Sequence, residues 1–135
     1  MQLSYLEIPK KIDISAVRTN VTLDEVKALA NVAKKYGFVC AFTMPCLTEA
    51  LLSQLKGSSV MVGGVAGFPS GADCTEEKVS CAIRQKLLGC DEIDMVINVC
   101  ALLSGDETRV RDDIRAVVEA VYPVPVKSIL EVAYL

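Results

Sequence analysis

Histidine is absent from these 135 residues, and its absence removes whole classes of chemistry. Serine and cysteine triads need an imidazole as general base. The usual zinc sets lose a component with it, and the 6 cysteines do not stand in. Cys40 and Cys46 lie six apart, Cys74 and Cys81 seven apart, and no C-x-x-C pair occurs. Most of these thiols are expected to be small buried hydrophobes, Cys81 at an apolar helix position and Cys40 and Cys100 beside strand runs. A basic excess is also lacking: 14 Lys and Arg against 17 Asp and Glu leave a net charge of −3. Nucleic acid is therefore not an expected partner.

No run approaches the roughly eighteen uninterrupted apolar residues of a membrane helix, so a membrane is not expected either. The opening Met1-Gln2-Leu3-Ser4-Tyr5 lacks the charged and apolar blocks of a secretory signal, which makes a cytoplasmic protein the expectation. Aromatics are scarce at 5%, whereas 52% of residues are hydrophobic, chiefly Val, Leu and Ala. That balance suits an α/β protein with a covered sheet. A chain of this length is read as one domain, 1–135, burying roughly two thirds of its unfolded surface.

The hydrophobic pattern alternates between two periods. Ile12 to Ser15 reads as a short strand, and Thr22-x-x-Glu25 as a capping box opening a helix to Tyr36. The apolar face of that helix runs Val26, Leu29, Ala30, Ala33, and Gly37 ends it. Phe38–Met44 is the second strand, Thr48–Leu55 a helix stopped by Gly57, and Val60–Phe68 a glycine-rich third strand. A helix from Asp73 or Cys74 to Leu88, acidic in its first turn, closes at Gly89. Glu92–Val99 is the fourth strand, Asp106–Tyr122 a charged helix stopped by Pro123 and Pro125, and Val126–Tyr134 the fifth strand. The order is β-α-β-α-β-α-β-α-β, with connections long enough for right-handed parallel crossovers.

Such an alternation fits an open doubly wound sheet or part of a (β/α)8 barrel. The first strand leads into no G-x-G-x-x-G, and no G-x-x-x-x-G-K-[ST] occurs. Gly63-Gly64-Val65-Ala66-Gly67 lies inside a strand, where glycine marks close packing more than a phosphate cradle. An incomplete TIM barrel is the preferred fold.

Chemistry in a barrel sits at the C-terminal ends of strands. Asp94 lies within strand four, where alternation puts Glu92, Asp94 and Val96 on one face and Ile93, Met95 and Ile97 on the other. A carboxylate on a covered strand is unfavourable without a partner or a task, and a lysine or backbone amides holding it is the structural alternative. Asp13 poses the same question on strand one, where an exposed rim is equally open. Two inward acids suit proton transfer beside a carbonyl. Breaking a carbon–carbon bond also requires an electron sink, a divalent metal or a lysine Schiff base. Lys127 is the lysine beside a strand core, but a fifth strand reaching Tyr134 leaves it at the wrong end, facing solvent or the barrel floor.

Several motifs resemble deoxyribose-phosphate aldolases. They are Ile12-Asp13-Ile14-Ser15 for an I-D-H-T-like strand, Gly67-Phe68-Pro69-Ser70-Gly71-Ala72 for G-F-P-x-G-A, and Thr75-Glu76-Glu77-Lys78-Val79 for T-E-x-K-V. Asp91 to Asn98 matches D-E-I-D-M-V-I-N, Ala101 to Asp106 matches A-L-x-S-G-D, and Val126 to Glu131 resembles V-K-x-I-L-E. The resemblance implies a class I aldolase barrel. Such an enzyme cleaves 2-deoxyribose 5-phosphate to glyceraldehyde 3-phosphate and acetaldehyde, in cytoplasmic deoxyribonucleotide catabolism, with no cofactor and no metal. It implies that Asp94 drives a proton relay, that Asp13 is the strand-one acid, and that Phe42 and Asn98 contact substrate.

The family's cysteine before the strand-two proline is Phe42 here, its asparagine is Met44, and the histidine after the first aspartate is Ile14. These exchanges make the pocket mouth apolar. The family's K-T-x-T-G motif with the Schiff-base lysine, its assisting lysine and its phosphate cradle are absent from this sequence. The chain is accordingly expected to be inactive alone. Alternatives of a different class are a non-catalytic barrel segment acting as an interaction module, and a small-molecule binder using the apolar mouth. Strands one and five would be open edges, to be covered by a partner chain or by self-association.

Overall fold

A computed structural model describes residues 7–135; the stretch Met1 to Tyr5 read above for a secretory signal lies outside them. Capping organises the helices. The Thr22 side chain accepts the Glu25 amide while Glu25 Oε2 accepts the Thr22 N–H at 2.8 Å, opening α1 (Leu23–Tyr36). Gly37, at φ 68°, then supplies the left-handed residue that ends it. Glu77 accepts the Cys74 N–H at 3.0 Å to start α3 (Thr75–Leu88), and Asp106 accepts the Arg109 N–H at 3.0 Å to start α5 (Glu107–Val121). Between them lie α2 (Thr48–Leu55) and a short α4 (Val99–Leu103).

The strands β1 (Asp13–Ala16), β2 (Cys40–Thr43), β3 (Met61–Ala66), β4 (Glu92–Val96) and β5 (Val126–Ile129) pair in parallel in the order β1-β2-β3-β4-β5. A doubly wound sheet reverses its strand order at a switch point. This sheet never does, so its crossovers advance in one direction and the helices gather on one face, as in a barrel wall. The main core lies there, with Val26, Ala30, Leu51, Ala82 and Val117 of the helices against Ala41, Val62, Ile93 and Met95 of the strands. Cys40, Phe42 and Val65 form a second, smaller cluster on the opposite, inner face. The five strands and their helices are an incomplete TIM barrel, with β1 and β5 at the edges.

Strands two to five are all shorter than the sequence suggests, the last two by the most at their C-terminal ends. The fourth ends at Val96 because Asn98 caps α4, its Oδ1 accepting the Ala101 N–H at 2.9 Å. The fifth ends at Ile129, because Glu131 adopts φ 54° and a 3-10 turn follows over Val132–Tyr134. The thiols also depart from expectation. Cys40 and Cys90 are buried and Cys81 half-buried, but Cys46, Cys74 and Cys100 are exposed, on a 3-10 turn, at the start of α3 and in α4. Among the described residues no helix is long and apolar enough to cross a membrane.

Candidate active site

Period-two alternation turns Glu92 and Asp94 away from the helices, while Ile93 and Met95 enter the main core. The β4–β5 register sets Lys127 beside Asp94, and Lys127 reaches across the inner face to β1. Its Nζ lies 2.5 Å from Asp13 Oδ2, 2.7 Å from Glu92 Oε1 and 3.6 Å from Asp94 Oδ1. The Glu92 contact is an ion pair, with the carboxylate side chain largely buried. The same ammonium stands 5.3 Å from the centroid of the Phe42 ring, a cation–π distance. Three carboxylates on two strands thus converge on one cation.

The fifth-strand lysine does face the floor side, since its nearest partners, Asp13 and Glu92, are the first residues of β1 and β4, but it is nearer the strand's C-terminal end than the sequence suggests. Reading that strand as far as Tyr134 displaced its C-terminal end by five residues; with β5 ending at Ile129, Lys127 lies two residues from it. It reaches inward, beneath a cavity of about 140 Å³ lined by Asp13, Ser15, Phe42, Phe68, Asp94 and Ile129, among others. Phe42 is a wall of this cavity rather than its mouth. It is buried, and its ring takes the space over Gly63, where a Cβ would lie 1.9 Å from Cε1. Asn98 is brought elsewhere, into a separate cavity of about 270 Å³ with Ala72, Ser104, Asp106 and Arg109. Of the four residues singled out in the sequence, the fold unites Asp13, Phe42 and Asp94. Glu92 was legible through its shared face with Asp94; Lys127 required the register, and Phe68 the turn after β3.

Burial raises the Asp94 pKa to about 6, Lys127 opposes the rise, and the charges of Glu92 and Asp13 add to it. Asp94 Oδ1 is buried, and its charged neighbour is the Lys127 ammonium at 3.6 Å. Desolvation lowers the Lys127 pKa, but its contacts with Asp13 and Glu92 and the charge of Asp94 outweigh it and hold the group above its ordinary value. Lys127 is thus a persistent ammonium. The Cys40 thiol, raised by burial and by Glu92 and Asp13, stays protonated. Asp13, Cys40 and Glu92 bring donor atoms within 4.8 Å of one another, a spacing a cation could bridge, and the ammonium of Lys127 contacts two of the three. The arrangement combines an acid poised to gain or lose a proton near neutrality, a fixed positive charge and a small apolar cavity.

No family model matches the chain. Its sequence is 44% identical over 128 residues to a deoxyribose-phosphate aldolase of Klebsiella pneumoniae, an alignment covering 92% of this chain and 51% of that protein. A crystal structure of a putative deoxyribose-phosphate aldolase from Coccidioides immitis superposes with a TM-score of 0.94 at 34% identity, over 98% of this chain and 53% of that one. The chain is homologous to the deoxyribose-phosphate aldolases. The aldolase of Aeropyrum pernix, described as tetrameric, superposes with a TM-score of 0.87 at 28% identity, covering 98% of this chain and 56% of that one. The chain spans about half the length of the curated aldolases it matches.

Proposed function

We propose that this chain forms the acid-bearing wall of an aldolase site. In the reaction, 2-deoxyribose 5-phosphate is cleaved reversibly to glyceraldehyde 3-phosphate and acetaldehyde through a lysine Schiff base. The convergence of Asp13, Glu92 and Asp94 on Lys127 beside one small cavity is the observation that carries this reading. Asp94 takes the proton of the hydroxyl on the carbon whose bond breaks, and returns it in the reverse direction. General acid–base catalysis of this kind contributes roughly 10²–10⁴-fold. Lys127 stabilises the carboxylate form of Asp94. It does not serve as the nucleophile, because a Schiff base needs a neutral amine and the carboxylates keep Lys127 protonated. The nucleophile and the phosphate anchor come from outside this wall, so the chain alone does not turn over substrate. A cytoplasmic, catabolic setting belongs to the same reading. The edges β1 and β5, with Leu130, Val132 and Tyr134 exposed beside the latter, are covered by further barrel strands or a partner chain.

A second reading, a binder of small apolar molecules, draws on Val17, Phe42, Val65, Phe68 and Ile129 around the cavity. Borohydride trapping separates the two. With acetaldehyde or deoxyribose 5-phosphate the chain alone should gain no reduced adduct by mass spectrometry. Extended with the remaining half of an aldolase relative, it should label and turn over, and the D94N version of that extended protein should lose roughly 10² or more of the rate. An adduct on Lys127 of the chain alone would overturn the assignment of roles. An inert extended protein would favour the binder.

A further inference from the structure

Lys78, on α3, is completely buried, although it carries a charge and touches nothing in the candidate site. Its Nζ is 2.7 Å from Asp113 Oδ2 on α5, both side chains being inaccessible, and the Thr75 hydroxyl donates to Asp113 Oδ1 at 2.8 Å. Joining two helices does not require charge, since well-packed apolar residues do it as well or better. The third contact of Lys78 is the specific one: it donates to the Val96 carbonyl at 3.1 Å. The β3–β4 register ends at the pair Ala66 and Met95, so Val96 lies one residue beyond it.

At that point the chain after β3 turns away through Gly67, at φ 65°, and the stem of Lys78 fills the space beneath: a Cβ on Gly67 would lie 2.9 Å from its Cε. The turn then closes over the continuation of β4. Gly71 donates to the Gly67 carbonyl at 2.7 Å, and a Cβ on Gly71 would lie 1.9 Å from the Ile97 carbonyl oxygen. The same turn carries Phe68 to the wall of the Asp94 cavity.

We infer that the Lys78–Asp113 pair is a positioning device for the candidate site. It holds the C-terminal end of β4, and with it Asp94 two residues upstream, against the turn from Gly67 to Gly71 that closes the cavity. The inference rests on Asp94 being the working acid, as proposed above, but its test reads local environment instead of turnover. The groups facing Asp94 are Glu92 on β4, Asp13 on β1 and Lys127 on β5. The Lys78–Asp113 pair has no net charge, so removing it acts on Asp94 through geometry.

In the variant K78M/D113L, apolar side chains replace the pair and the bond to Val96 is lost. Folding is followed by thermal melting, and the Asp94 midpoint by carbon-13 NMR of labelled aspartate carboxyls. The expected result is a cooperatively folded protein whose Asp94 midpoint falls by roughly half a pH unit or more, because water enters as the turn loosens and desolvation is what raises it. A folded variant with the midpoint unchanged within about 0.2 unit overturns the inference. K78M/D113N, which leaves Thr75 an oxygen to donate to, carries the same two outcomes. Failure of both variants to fold also overturns it, since the pair would then serve the whole fold and not the site. A changed midpoint in a chain whose extended form proves inert would uphold the positioning and refute the proposed function.

Discussion

Replacing Lys127 with methionine should raise the titration midpoint of Asp94 while leaving the fold intact. The two groups are 3.6 Å apart, which corresponds to about 1.2 kcal/mol in a water-like medium and about 4.6 kcal/mol at an effective dielectric of 20. The lysine side chain is 43% exposed, so the screened end of that range applies. At about 1.4 kcal/mol per pH unit the midpoint should climb by about one unit, starting from about 6. Glu92 and Asp13, deprived of their counter-charge, push in the same direction. Asp94 would then be about half protonated at neutral pH, and weaker as a base to that extent. Carbon-13 NMR of labelled aspartate carboxyls between pH 4 and 9, with D94N to assign the resonance, measures the shift directly. Lys127→Arg retains the charge and should keep the midpoint near its original value. A midpoint that stays put or falls in K127M would refute the claim that this ammonium controls the acid.

Two further predictions concern stability. Asp94 is raised from 3.8 to about 6, so the native state binds this proton more tightly than the unfolded chain. Its contribution is complete below about pH 4 and is lost as pH rises through 6, amounting to at most about 3 kcal/mol. Urea unfolding at pH 4, 5, 6 and 7 should show D94N lacking that decline, and an unchanged pH profile would contradict it. Gly63→Ala drives a methyl group into the buried Phe42 ring, an overpacking expected to lower stability by about 1–3 kcal/mol. The double variant G63A/F42L should recover most of that in chemical denaturation, and equal loss in both variants would mean that the ring is not what Gly63 accommodates.

Helix boundaries were legible because they rest on local chemistry. The Thr22–Glu25 box and the glycines at 37 and 89 act on groups within a few residues of themselves. The inward placement of Asp94 was legible too, since alternation along a strand is a local period. Strand ends were harder to read, because Val96 and Ile129 are followed by residues apolar enough to extend either strand. Only Asn98 turning to cap α4 and Glu131 entering the left-handed region stop them. The distance from Lys127 to the end of its strand inherited that error.

The chain's own pattern therefore determined the parallel α/β wall, its helices and the acid facing inward, because periodicity and capping are written within single segments. Tertiary structure alone decided that Lys127 would stand between carboxylates of β1 and β4. It also decided that Asn98 would leave their cavity and that Lys78 would be sealed under the turn that closes it. Those outcomes depend on register between strands and on helix-to-sheet packing. An ion pair such as Lys127 with Asp13 joins residues 114 positions apart, and no local pattern encodes which charges will meet across the inner face of a sheet.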